Sequence, residues 1–213
     1  MSDVYNLFED IIEVDIEQNI IEDCIKDYYS NTEFRTASMQ KADPNVHIDY
    51  FTSLVSKVTS SDVSFCSGNY YKHTLPYMPH TDYKEQLNNS INFVIPLSIK
   101  GDASLIIFDQ LWSGNSVTWD MNLPIPEHKT NKNTKGSPID YDIKYTTGKP
   151  FQEDIHQKYL SFFKLEDLKG LSANIFNFVP SKGVIFDNRK IHCTSHERWE
   201  KLGLSLRFKY AED

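Results

Sequence analysis

With 213 residues, 39% of them hydrophobic and 13% aromatic, the chain can bury a substantial core as one domain spanning 1–213. A net charge of −8 leaves no global basic field for gripping a phosphate backbone, so nucleic acid is a poor partner. Three cysteines (Cys24, Cys66 and Cys193) without CxxC spacing point to reduced thiols. The acidic start and the lack of any apolar run near about 18 residues predict a cytoplasmic protein with no membrane partner.

Short apolar groups over 4–14 predict an opening strand or turn. From Asp15, apolar residues at Ile16, Ile20, Cys24 and Tyr28 predict an amphipathic helix to about Ser30, with Asp15 and Gln18 as a capping box. A second stripe, Ile48, Phe51, Leu54, Val55 and Val58, follows Asp43-Pro44-Asn45 and predicts another helix. Residues 1–62 thus form a helical support layer.

From Val63 the pattern changes to short β-branched and aromatic runs between Gly, Pro and Asn. Strands are predicted over 63–75, 91–99, 103–108, 116–119, 175–179, 183–186 and 202–210, with a short helix near 152–163. The resulting class is α+β: a double-stranded β-helix (jelly-roll, cupin-like) core over 63–213 with the amino-terminal helices packed outside it. The stretch at about 110–150, with Pro124, Pro126 and Pro138, two tryptophans and a Lys-, Asn- and Thr-rich run, reads as an insertion of the lid type.

Chemistry concentrates in Tyr77-Met78-Pro79-His80-Thr81-Asp82. On extended backbone, side chains at i and i+2 share a face, so His80 and Asp82 can chelate one ion. Imidazole plus carboxylate with open positions suits redox-active iron(II) better than a closed zinc site. His47-Ile48-Asp49 repeats the pattern at a helix start, where i and i+2 lie about 200° apart and do not converge. A third ligand must come from downstream, where His192 and His196 are the candidates.

Gly183-Val184-Ile185-Phe186-Asp187 leading to His192 resembles the late strand that delivers the distal histidine in iron(II)- and 2-oxoglutarate-dependent oxygenases, which favours His192 over His196. Tyr71, Tyr77, Pro79, His80 and Asp82 resemble the signature of prolyl 4-hydroxylase-like and phytanoyl-CoA hydroxylase-like members. Lys201 to Phe208 is similar to the closing strand that holds the cofactor's distal carboxylate, with Lys201, Gly203, Ser205 and Arg207 on one face.

The resemblance implies iron(II) on His80, Asp82 and His192, and 2-oxoglutarate and O₂ as co-substrates. Either Lys201 or Arg207 pairs the distal carboxylate: spacing from His192 favours the first, bidentate chemistry the second. Tyr71 or Tyr70, and Ser205, complete that subsite. The implied activity is a dioxygenase that hydroxylates an unactivated C–H bond of a small-molecule or prolyl/peptidyl substrate, releasing succinate and CO₂. Halogenases of this family lack the carboxylate ligand, so Asp82 favours hydroxylation. Trp112 and Trp119 in the insertion are substrate-contact candidates, and Lys129, Lys132, Lys135, Lys144 and Lys149 make it locally basic. The rival readings are a metal-dependent hydrolase or isomerase on a cupin-like barrel, or a non-catalytic binding module. Neither needs a buried cation on the closing strand.

Overall fold

A computed structural model of the chain describes residues 11–30, 34–36, 39–41, 46–77, 80–82, 90–111, 153–161, 165, 173–195 and 199–211. Two antiparallel sheets and three helices make up these residues. The large sheet has seven strands in the order β1 (Ile12–Asp15), β8 (Lys182–Asp187), β5 (Ser90–Lys100), β10 (Glu200–Tyr210), β4 (Val63–His73), β3 (Met39–Lys41) and β2 (Phe34–Thr36). The small sheet runs β7 (Ala173–Asn177), β6 (Ser104–Leu111), β9 (Lys190–Thr194). The helices are α1 (Gln18–Ser30), α2 (Ile48–Thr59) and α3 (Glu153–Tyr159).

The period-2 pattern of the central strands decides which side chains meet which layer. Leu202, Leu204, Leu206 and Phe208 of β10, with Ile91, Phe93, Ile95 and Leu97 of β5, face the helices and build the main core with Ile20, Ile21, Cys24, Phe51 and Val55. Phe51 of α2 meets Phe93 edge to face, with ring centroids 5.8 Å apart. A second cluster, Val94, Leu105, Ile107, Val184 and Phe186, draws on both sheets. The residues between these apolar positions on β10, β5 and β4 look the other way, and there the cavity forms.

Two irregularities have sequence causes. Pro96 lies within a central strand, where it cannot donate a ladder hydrogen bond; it stands opposite Gly203, and the β5–β10 register shifts between Leu202 and Gly203. Gly203 is required for a second reason. A Cβ there would sit 2.3 Å from the Tyr71 ring, so Tyr71 can lie across β10 only over a glycine.

The helices and most strands follow the sequence expectations, with differences at the ends. The first helix begins at Gln18 because Asp15 is used in β1, where it pairs with Lys182 at 2.6 Å; the expected capping box does not form. His47 precedes α2 with φ 53° and no side-chain cap, its ring 3.1 Å from Asp23. The described part of the opening strand is β1, and the strand expected at 175–179 is Ala173–Asn177. β2, β3 and β9 were not foreseen. The strand expected at 116–119 and the 110–150 insertion beyond Leu111 lie outside the described residues, as do Trp112, Trp119 and the five insertion lysines. No helix among the described residues is long and apolar enough to cross a membrane.

Candidate metal centre

β8 and β9 belong to different sheets, and the turn between them aims His192. Asp187 fastens that turn, accepting hydrogen bonds from the Arg189 backbone N–H at 2.8 Å, from Nε at 2.9 Å and from Nη2 at 2.7 Å. Asn188 adds a backbone bond to Ser90 at 3.1 Å and a side-chain bond to the Ser90 hydroxyl. β9 then runs beside β6 with His192 opposite Ile107. On its other side His80 extends the small sheet by one bridge, exchanging both backbone hydrogen bonds with His192 at 3.0 and 2.9 Å. Tyr77 is tied to the same strand, its N–H donating to the Thr194 hydroxyl at 2.6 Å.

This stitching brings His80, Asp82 and His192 together, with one ligand atom from each lying within 4.8 Å of the others. The His192 Nε2 is 3.6 Å and the His80 Nε2 is 3.9 Å from the Asp82 carboxylate. Nδ1 of His192 donates to the Lys190 carbonyl at 3.1 Å, which leaves the Nε2 lone pair facing the carboxylate. His80 is braced by the edge of the Tyr77 ring, at 4.6 Å between centroids.

Asp82 is held from two directions. Arg207 Nη2 donates to Oδ1 at 2.6 Å and Asn92 Nδ2 to Oδ2 at 3.0 Å. Burial alone would raise the Asp82 carboxyl; the Arg207 guanidinium and then the two imidazoles outweigh it and hold the group well below the usual carboxylate range. Burial first, and the neighbouring His80 second, push His192 down to about 3, so its imidazole is neutral and able to ligate. The His80 and His192 imidazoles and the ionised Asp82 carboxylate form a three-residue donor set that fits a divalent iron-type ion.

The centre opens into a cavity of about 90 Å³ lined by both sheets. Its large-sheet wall is Asn69, Tyr71 and His73 of β4, Val94 of β5, and Lys201, Ser205 and Arg207 of β10. Lys201 is 1% exposed and stands opposite His73 in the β10–β4 register, with Tyr71 opposite Gly203. A buried ammonium facing a cavity suits an anionic ligand. Asn69 Oδ1 and Arg207 Nε are buried without a hydrogen-bond partner among the described residues, and so are open to a ligand. Burial pushes the Tyr71 phenol up, so its hydroxyl is a neutral donor.

Of the residues singled out from sequence, His80, Asp82, His192, Tyr71, Ser205, Lys201 and Arg207 all border this one cavity. Tyr70 does not. It points into the helical layer, donates to Asp27 at 2.6 Å and is 1% exposed, because neighbouring strand residues face opposite sides. Arg207 is engaged on Asp82, and Lys201 stands six residues, about 20 Å of strand, along β10 from it. His196 lies outside the described residues. Asn92, Asn69 and His73 were missed. The signal for Asn92 is an asparagine inside the otherwise apolar Ile91-Asn92-Phe93-Val94-Ile95.

No protein-family model matches the sequence, and no curated protein matches it. Solved structures do match the fold. The non-haem α-ketoglutarate-dependent (2-oxoglutarate-dependent) epimerase SnoN from nogalamycin biosynthesis superposes with a TM-score of 0.54 at 8% identity, over 94% of this chain and 78% of its own. The carbocyclase SnoK, also non-haem and α-ketoglutarate-dependent, gives 0.52 at 8% identity over 93% and 79%. Iron-bound HygX from Streptomyces hygroscopicus gives 0.51 at 11% identity over 94% and 82%. The chain therefore has the jelly-roll fold of the iron- and 2-oxoglutarate-dependent oxygenases, the family that its histidine and aspartate motifs resemble.

Proposed function

We propose that this protein is a cytoplasmic, single-domain iron(II)- and 2-oxoglutarate-dependent dioxygenase that hydroxylates a C–H bond of a small-molecule or peptidyl substrate. One observation carries the reading: two imidazoles and an ionised carboxylate converge within 4.8 Å at one cavity that also receives the buried Lys201. A hydrolytic metal centre has no use for that buried cation, and a binding module has no use for the ligand triad.

Iron(II), when bound, supplies O₂ activation driven by oxidative decarboxylation of 2-oxoglutarate to succinate and CO₂. The chain's own residues do the rest. His80, Asp82 and His192 would hold the metal, and the Lys190 carbonyl and the Tyr77 ring fix the two imidazoles. Lys201 pairs the distal carboxylate of the cofactor, with the Tyr71 hydroxyl as a neutral donor and Ser205 beside them. Val94, Leu105 and Phe178 supply apolar wall that excludes water. Trp112 and Trp119 remain candidates for substrate contact.

SnoN and SnoK are an epimerase and a carbocyclase, so this fold does not by itself entail hydroxylation. Hydroxylation is the reading we favour, because Asp82 supplies the carboxylate that halogenases of this family lack. Asp82→Ala is expected to abolish substrate-triggered succinate formation; full activity in that variant would remove Asp82 from the site.

A further inference from the structure

Asp82 is a metal-ligand candidate that no regular strand holds; it lies at the end of the described segment 80–82. Its carboxylate is nonetheless gripped at both oxygens, and the two grips come from one place. Arg207 of β10 and Asn92 of β5 are directly opposed in the β5–β10 register, at the centre of the large sheet. One donates to Oδ1 at 2.6 Å and the other to Oδ2 at 3.0 Å. Asn92 is fully buried. Two donors on opposite oxygens fix the plane of a carboxylate, which a single donor leaves free to swing.

We propose that Arg207 and Asn92 are positioning residues that act on the metal centre through Asp82. Together they hold the carboxylate plane, and Arg207 adds a positive charge that offsets the ligand's negative one. A dication on the triad would then present a net charge of about +2 rather than +1, counting Arg207 with Asp82. Such a face attracts a chelating ketoacid more strongly, whatever the ketoacid carries at its far end. Arg207 thereby acts at the metal, and Lys201 acts at the distal carboxylate. The ketoacid half of this inference rests on the function proposed above; the clamp on Asp82 does not.

The test uses the cobalt(II)-loaded protein, whose visible ligand-field spectrum reports the ligand arrangement without turnover. In Arg207→Met the spectrum should shift before any ketoacid is added, and affinity for both pyruvate and 2-oxoglutarate should fall by about tenfold or more. Arg207→Lys should recover most of that affinity, because it restores the charge, while the spectrum stays displaced, because a lysine offers a point donor without the planar fork. Lys201→Met should keep the wild-type spectrum and pyruvate affinity and lose affinity for 2-oxoglutarate alone.

An unmoved spectrum in Arg207→Met overturns the clamp. Loss of 2-oxoglutarate binding with pyruvate unchanged in that variant makes Arg207 a distal-carboxylate anchor and also overturns it. A moved spectrum in a protein whose wild type binds no ketoacid sinks the 2-oxoglutarate reading and leaves the clamp standing. If Arg207→Met does not fold, Asn92→Ser removes the Oδ2 donor and the spectrum is read there: a shift supports the clamp, and an unmoved spectrum overturns it.

Discussion

His80 and His192, far apart in sequence, exchange both backbone hydrogen bonds across a single bridge, at 3.0 and 2.9 Å. That bridge is the only regular pairing of the 80–82 segment among the described residues, and it brings both imidazoles to the Asp82 carboxylate. The candidate metal centre is therefore a by-product of sheet pairing: a strand edge on β9 recruits one more residue, and that residue is a ligand candidate. The cavity wall depends on similarly local features of β4 and β10.

Gly203→Ala should damage the cavity while sparing most of the fold. The added methyl would meet the Tyr71 ring at 2.3 Å, so Tyr71 must leave its place over β10. Affinity for 2-oxoglutarate, followed by titration of the iron-loaded protein under nitrogen, is expected to fall at least tenfold. Iron stoichiometry should hold, because none of the three ligand candidates touches that position.

The two faces of β4 separate stability from ligand binding. Tyr70→Phe loses a buried hydrogen bond to Asp27, which should cost about 1–3 kcal/mol in denaturant unfolding and leave 2-oxoglutarate affinity unchanged. Phe51→Ala, at a fully buried position packed on Phe93, should cost about 3–5 kcal/mol. Tyr71→Phe should do the reverse of Tyr70→Phe, weakening cofactor binding with little change in stability.

Acid should weaken the metal-free protein through two groups that act in the same direction. Burial, with His80 second, lowers His192 to about 3 in the folded chain, against about 6.5 when unfolded, so the unfolded state takes up the proton first. Stability therefore declines as pH falls from about 6.5 towards 3. The Asp82 carboxyl, which burial would raise but Arg207 and the imidazoles hold low, contributes stability above its unfolded value of about 3.9, and this is lost as pH falls towards its folded value. Chemical denaturation across this range checks the slope. In His192→Phe the part between about 6.5 and 4 should flatten.

Much of this was legible in the sequence because it rests on local pattern. The 3.6-residue stripes of α1 and α2 and the alternation in β5 and β10 were strong enough to place helices outside a double sheet. His80, Asp82 and His192, which the fold brings within 4.8 Å of one another, could be grouped because an i, i+2 pair and a histidine after a late strand leave local marks. What stayed hidden depends on partners distant in sequence. Tyr70 and Tyr71 are indistinguishable until the register of β4 is known, and a one-residue slip would exchange their roles. Lys201 and Arg207 share a strand face, and only the position of Asp82 along that strand assigns Arg207 to the carboxylate. Asn92 carries no motif, and its meaning appears when β10 is laid beside β5.

The central claim is that one iron and one 2-oxoglutarate bind together at the His80, Asp82 and His192 face with Lys201 across the cavity. The most direct measurement is anaerobic titration of the iron(II)-loaded protein with 2-oxoglutarate, following the weak visible charge-transfer band. One iron per chain and a saturable band are expected, with His192→Ala losing both and Lys201→Met keeping the iron but needing at least tenfold more 2-oxoglutarate. Substoichiometric iron, or a stoichiometric iron that yields no band, would contradict the account.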